Sequence, residues 1–400
     1  MLECFSCAET YLDLHRQKTG QGPIDPVRVV RPFAITRAID WFQTNFAGQL
    51  IYALKANPSP FVISALQRAN INRFDVASLK EIELVLDQVP EADLYYMNPV
   101  KSRAHIREAY FKHVVRRFAV DHKDEVEKIL MVTQGAKDLT LFVRLHCNDQ
   151  GSVLPLGQKY GAEGEAAIEL LQMVRARAAK LGVTFHVGSQ ALVPERYVQA
   201  MEHVARLVRQ AGVTADILNV GGGFPSQYQE REHGDLSPYT QMINSALKDM
   251  PLVSDANIYA EPGRALVAEA ESLIVRVDAR RGSQLFINDG GYGILFDGAH
   301  SNWVFPARLV GTETNADELI PFSLWGPTCD AADRLKGPFY FPDSVQEGDY
   351  LEIYKTGAYG WSMSSRFNGF GTYEMIELED EGMHSNYLPK ASVPQELKIS

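Results

Sequence analysis

Between residues 50 and 260, short apolar runs alternate with segments of helical spacing. Strand-like runs fall at 50–54, 73–76, 94–97, 116–120, 140–145, 184–187, 217–220 and 258–260. Segments such as 60–68, 79–87, 163–180 and 194–210 lie between them and carry the apolar spacing of amphipathic helices. Strand followed by helix, eight times over, predicts an α/β fold, a (β/α)8 TIM-type barrel over residues 36–265. Ahead of it, Gly20, Gly22, Pro23 and Pro26 suggest a soft start to a segment 1–35. That segment ends in a strand over 27–35, and a helix follows from Thr36, as N-cap, to Asn45. Past Arg264 the pattern becomes strand-rich, at 267–277, 284–288, 350–355 and 371–378. It predicts a mostly β domain over 266–378, joined by segment 1–35, with a polar tail over 379–400.

In a β/α barrel the active site sits at the C-terminal ends of the strands. The residues predicted there are Lys55, Asp75, Asn98, Asp121, Arg144, His186, Gly221 and Glu261. A lysine in such a mouth is a candidate Schiff-base nucleophile, because desolvation lowers its pKa and frees the amine. The competing reading is a solvated surface lysine. Gly221, Gly222 and Gly223 follow a strand and let backbone N–H groups turn towards an anion, although a tight βα turn needs the same residues. Arg264 suits a phosphate and Glu261 a protonated ring nitrogen; a salt bridge at the rim would use both as well. His186 could stack on a planar cofactor, and Ser189 could donate to a phosphate. Cys329 beside Asp330 places a thiol next to a carboxylate in a turn-rich stretch, and Asp297 adds an acid on a loop.

Composition narrows the classes. The chain has 400 residues, 46% hydrophobic and 22% charged, as in ordinary soluble proteins. A net charge of −11 disfavours a general nucleic-acid binder. No apolar run approaches a membrane span, and Glu3, Glu9 and Asp13 stand where a signal core would be, so the cytoplasm is the default expectation. Cys4 and Cys7 have the spacing of a metal or redox pair, but no second pair follows; they read as reduced thiols, and no metal site is expected.

Eight motifs in order, YALKAN, FDVAS, FHVGS, NVGGGFP, AEPGR, WGPTCD, GAY and FNGF, cover about residues 30–375. Together they resemble the alanine-racemase-fold, pyridoxal-phosphate-dependent decarboxylases, nearest to the eukaryotic-type ornithine decarboxylases. The resemblance implies that Lys55 carries pyridoxal 5′-phosphate as a Schiff base, that Glu261 pairs with the pyridine nitrogen and that His186 stacks on the ring. Ser189, Gly221, Gly222, Gly223, Arg264 and Tyr359 would hold the phosphate, and Gly263 would also bind the cofactor. Asp75 and Arg144 match positions that order the lysine side, with Glu81 an acid nearby. The resemblance also implies a homodimer with shared sites, in which Cys329 and Asp330 reach into the partner's site and Phe367 lines it. Cys329 would protonate the α-carbon, and Asp297 and Asp330 would flank the distal ammonium of a basic amino acid.

Ornithine is the first expectation, giving putrescine for polyamine biosynthesis; lysine or another diamino acid stays open. The segment from Tyr292 to Asp297 is shorter than in the usual ornithine enzymes, Gly298 stands where they commonly have histidine, and Gly360 and Trp361 follow Tyr359. Two rivals share the fold. A racemase needs a second base opposite the lysine, whereas the WGPTCD cysteine favours decarboxylation. The family's inhibitor proteins need not keep the cofactor residues, yet Lys55, Arg264, Tyr359 and Cys329 are all present.

Overall fold

The structure, a computed structural model, describes residues 2–148, 152–155, 157–228, 234–301, 303–311 and 319–387. It divides into two compact units, one of Met1–Ala38, Ser226–Gly234 and Leu266–Ser400, the other of Ile39–Pro225 and Asp235–Ala265.

The second unit is the expected barrel. Its strands, all parallel, run in spatial order Tyr52–Ala53, Arg73–Val76, Asp93–Tyr96, Arg117–Val120, Thr140–Arg144, Lys180–Thr184, Ala215–Asn219 and Leu252–Ala260. The first strand is interrupted: Gln49–Leu50 pairs with Leu252–Ala260, while Tyr52–Ala53 pairs with Arg73–Val76. One segment therefore meets both of its neighbours, and the ring closes. Ile51, Tyr95, Met97, Ala119, Phe142, Ile217 and Tyr259 come from strands around this ring and pack into one buried cluster, so the interior is a core.

Among the strand ends that differ from expectation, two matter for the site. The run 50–54 breaks at Leu54, where the 3-10 turn Leu54–Ala56 takes over, so Lys55 sits in a turn beyond the strand. That turn is held by the Tyr52 hydroxyl donating to the Asn57 carbonyl at 2.9 Å and the Ser59 N–H donating to Asn57 Oδ1 at 3.0 Å. The strand expected at 184–187 instead ends at Thr184, because its partners on either side end at Arg144 and Asn219. His186 lies past the ladder. The helix expected over 163–180 covers Gly164–Arg177, and Lys180 already belongs to the next strand.

The first unit is built on a nine-stranded mixed sheet. Its central strand Glu271–Arg281 pairs antiparallel with Val27–Val30, Gln284–Ile287 and Tyr350–Tyr354. The strand expected over 267–277 starts later because Arg264–Val267 and Ala268–Ala270 are helical turns. The strand expected over 27–35 stops at Val30, because Pro32 opens the helix Pro32–Asn45 and Thr36 falls inside it. The soft start holds a helix, Ala8–Thr19. Its buried Ala8, Tyr11 and Leu12 pack against Val27, Val29 and Ile376, and Gly20 ends it at φ +80°. The hairpin strands Leu319–Trp325 and Arg334–Pro342 have no counterpart in the sequence reading.

A buried ion network ties this unit together. The Arg31 guanidinium bonds Glu352 at 2.8 Å, Asp380 at 2.7 Å and the Ser272 hydroxyl at 2.7 Å. Burial works against the charge of Glu352, yet Arg31 and Arg308 hold its carboxyl below the usual range. The expected tail thus begins as anchored chain: Asp380, Ser385 and Asn386 are all bonded to the unit. Residues 388–400 lie outside the described residues. No helix among the described residues is long and apolar enough to cross a membrane. Removing Arg31 leaves buried Glu352 without its nearest cation, so Arg31→Ala should cost about 3–5 kcal/mol. A shift of the urea unfolding midpoint checks this; an unchanged midpoint would refute it.

Candidate active site

The barrel mouth gathers groups from strands far apart in the chain. Lys55, Asp75, Met97, Arg144, Thr184, Phe185, His186 and Glu261 line one concavity. Lys55 Nζ bonds Asp75 Oδ2 at 2.8 Å, with the lysine side chain about half exposed and the aspartate buried. Glu81 is half-buried close by, accepting from the Ala77 N–H at 2.6 Å; partial burial raises its carboxyl pKa, and Asp75 adds to the shift. Arg144 ends its strand with its guanidinium over the Tyr160 ring, at 5.4 Å.

The glycine turn and the last strand end are fastened to each other. The Glu261 N–H donates to the Gly221 carbonyl at 2.8 Å. Asn219 bridges the two: its Nδ2 donates to Glu261 Oε1 at 2.6 Å, and its Oδ1 accepts from the Gly221 N–H at 2.9 Å. Gly221 and Gly223 have φ of +70° and +106°, which a side chain would strain. Gly222 has no such φ, but a Cβ there would lie 2.6 Å from the Glu261 carbonyl oxygen and 3.3 Å from His186 Nε2. Any side chain would fill the space that these groups surround. Gly263 lies as near to the lysine turn, since its Cβ would meet those of Ala56 at 3.0 Å and Ala53 at 3.2 Å. Arg264 follows, buried, at the start of Arg264–Val267.

Two titrating groups are tuned in opposite senses. His186 Nδ1 accepts from the Gly188 N–H at 3.0 Å, so the ring proton resides on Nε2. Burial, with Arg144 and Lys55 adding to it, lowers the His186 pKa to about 3, and the ring is neutral at pH 7. Burial, with Asp75 second, raises Glu261 to about 7, so that carboxyl is poised to hold or release a proton near neutrality. Ser189 opens the short strand Ser189–Ala191, opposite Leu154. Asn98 and Asp121, also expected at the mouth, are not among the residues lining this concavity. The Asn98 carbonyl accepts from Lys101, and Asp121 accepts from the Gly161 N–H.

In the first unit, Asp330 and Phe367 both meet Tyr292, and Cys329 lies against Asn368. Cys329 is exposed; its backbone N–H and its Sγ lie 3.3 and 3.4 Å from Asn368 Oδ1. Asp330 accepts from the Ala332 N–H and from the Tyr292 hydroxyl, which together lower its pKa. The Phe367 ring lies 4.9 Å from that of Tyr292. Asp297 is buried in the helical turn Phe296–His300, a correction to its place on a solvated loop. Tyr359 has φ +64° and caps the turn Gly360–Met363. The departures at Gly298 and Gly360 have a packing reason: a Cβ at Gly298 would meet Leu335 at 2.6 Å, and one at Gly360 would meet Ile294 at 2.9 Å. Sequence reasoning missed Asn219, Asn368 and Asp333. Buried Asp333 accepts from the Gly291 N–H and from the N–H and hydroxyl of Thr328, bracing the WGPTCD turn. A polar residue inside the apolar run before Gly221 was the available sign for Asn219.

A β/α barrel with a lysine amine, a buried carboxyl at the last strand end and a glycine cradle beside it defines a pyridoxal-phosphate-binding barrel. Residues 34–268 match the family "Pyridoxal-dependent decarboxylase, pyridoxal binding domain". Lysine/ornithine decarboxylase of Selenomonas ruminantium is 31% identical over 372 residues, which span 88% of this chain and 91% of the relative. Antizyme inhibitor 2 of Xenopus laevis is 34% identical over 348 residues, 80% of this chain and 73% of the relative. The solved arginine decarboxylase of Paramecium bursaria Chlorella virus superposes with a TM-score of 0.82 at 25% identity, over 92% of this chain and all of that one. The chain belongs to the alanine-racemase-fold, pyridoxal-dependent decarboxylases, and pyridoxal 5′-phosphate is its cofactor.

The two tuned groups predict opposite stability trends in cofactor-free protein. Glu261, raised from 4.5 to about 7, contributes stability that is present below pH 4.5 and lost as pH rises through 7. His186, lowered from 6.5 to about 3, contributes stability present above pH 6.5 and lost as pH falls towards 3. Between pH 5 and 8 the wild type should therefore lose stability relative to Glu261→Gln. Unfolding midpoints that stay parallel across that range would contradict the raised carboxyl.

Proposed function

We propose that the chain decarboxylates a basic L-amino acid, with ornithine as the first substrate and putrescine, a polyamine precursor, as the product. The observation that carries this reading is the half-exposed Lys55 amine held on Asp75, in one concavity with neutral His186 and Glu261. When bound, pyridoxal 5′-phosphate supplies the electron sink for the pair released as carbon dioxide leaves. Lys55 Nζ is the attachment point, with Asp75, Arg144 and Glu81 ordering that side. Glu261 shares a proton with the ring nitrogen, and Asn219 fixes the carboxyl's direction. His186 presents an uncharged ring face. Ser189, the Gly221, Gly222 and Gly223 turn, Arg264 and Tyr359 take the phosphate, and Gly263 also binds the cofactor.

Cys329 Sγ delivers the proton to the α-carbon. Asp330, held anionic by Ala332 and Tyr292, reads the distal ammonium together with Asp297, and Phe367 lines that end. Cys329, Asp330 and Phe367 are exposed on the first unit, which fits donation to the site of a second copy in a homodimer. Lysine is the second reading for the substrate, on the sequence similarity to lysine/ornithine decarboxylase.

Borohydride reduction should fix the cofactor to Lys55, and Lys55→Ala should abolish turnover; an undiminished Lys55→Ala enzyme would sink the proposal. Amine products after incubation with ornithine, lysine, arginine, diaminobutyrate and diaminopimelate identify the substrate, and putrescine should form fastest. Shared sites predict complementation. Mixing inactive Lys55→Ala with inactive Cys329→Ala should restore about a quarter of wild-type activity, since half of the dimers then hold one intact site of two. No recovery on mixing would exclude sites shared in this way.

A further inference from the structure

The segment past Glu379 does more than end the sheet. The Asn386 side chain, buried at 9% exposure, closes a loop. Its Oδ1 accepts from the Gln227 N–H at 3.1 Å and lies 3.4 Å from the Ser226 hydroxyl, while its Nδ2 donates to the Gly234 carbonyl at 2.7 Å. The opposite amide orientation would set an NH2 against the Gln227 N–H, so the network fixes the assignment. Ser226 follows directly on the stretch Gly221-Gly222-Gly223-Phe224-Pro225.

The same segment is fastened at a second point. The Ser385 hydroxyl and the Asn386 N–H both donate to Glu269, each at 2.7 Å, and Arg37 and Lys355 lie 3.1 and 3.7 Å from the same carboxylate. Glu269 stands five residues after Arg264, and Lys355 four residues before Tyr359. Ser385 and Asn386 thus fasten the chain just after the glycine turn and the turn that follows Arg264, and Lys355, near Tyr359, lies against the same carboxylate.

We infer that Ser385 and Asn386 form a C-terminal strap, with Asn386 as a positioning residue, that sets the cofactor phosphate cradle through the chain segments it fastens. The inference rests on the reading that the glycine turn, Arg264 and Tyr359 hold the phosphate. Asn386 touches no reacting atom; its effect is on how firmly the phosphate is kept. A strap that acts on the cradle changes affinity for pyridoxal 5′-phosphate and leaves affinity for pyridoxal, which lacks the phosphate, unchanged. A role in general stability would alter both.

The test follows cofactor release from the purified holoenzyme after dilution, by absorbance of the freed cofactor, with Arg264→Ala as reference. Rebinding of pyridoxal 5′-phosphate and of pyridoxal is measured alongside. Asn386→Ala should release the phosphorylated cofactor about 10-fold faster, the effect of one lost buried hydrogen bond. Its affinity for pyridoxal should match wild type, and Asn386→Asp, which keeps the acceptor for Gln227, should fall between. Fast release from Arg264→Ala with a wild-type rate in Asn386→Ala would overturn the strap alone. Wild-type rates in both would overturn the phosphate reading and the strap with it. Equal losses for both cofactor forms would reduce Asn386 to a structural residue. If Asn386→Ala does not fold, Ser385→Ala, which removes one bond to Glu269, is held to the same outcomes.

Discussion

Closure of the barrel through its interrupted first strand is the constraint on which the site depends. Gln49–Leu50 pairs with the last strand and Tyr52–Ala53 with the second, so the turn that follows lies where the ring joins. Lys55 sits in that turn, with Asp75 on one flank and the chain bearing Glu261 and Gly263 on the other. An unbroken strand from 50 to 54 would commit its ladder further along. The early exit into Leu54–Ala56 frees the lysine from the pleat and lets its amine reach Asp75. Gly263, with room for no side chain between it and Ala53 and Ala56, keeps the join tight.

Electrostatics at the mouth follows from that crowding. Lys55, Arg144, Asp75 and Glu261 meet in partly desolvated space, where like charges are costly. The cations and burial leave His186 neutral. Burial and Asp75 leave Glu261 ready to keep its proton near pH 7. In the proposed pairing, a ring nitrogen beside Glu261 would give that carboxyl a partner for its proton. Asn219 makes this possible by anchoring Glu261 and the glycine turn to one side chain.

Much of this was legible in the sequence, for local reasons. The helix Pro60–Arg68 and the strand Arg73–Val76 follow from apolar spacing and from proline at the first helical turn. The errors have physical causes too. Thr184 ends its strand because both neighbours end, a fact held in the ladder and not in the run itself. The helix Ala8–Thr19 was hidden by the glycines and prolines after it, which are its stop signal. Pro321, Gly337 and Pro338 interrupt two strands that their mutual pairing nonetheless sustains. The site residues that went unseen, Asn219, Asn368 and Asp333, act by orienting other groups, and such residues carry no motif of their own.

The choice of substrate is the least legible property, and the packing shows why. The acids proposed to read the distal ammonium are on different turns, and neither turn sets its own position. Phe296–His300 packs Gly298 against Leu335 and Phe305, and the chain before it passes Ile294 against Gly360, the residue after Tyr359. Asp330 depends likewise on Tyr292, whose carbonyl is held by both the N–H and the hydroxyl of Ser365. The positions of both acids thus depend on backbone packed closely against distant neighbours. A side chain at Gly298 would press on Leu335 and Phe305, and one at Gly360 on Ile294, so either change would bear on the turns that carry the proposed ammonium-reading acids before it reached the barrel lysine.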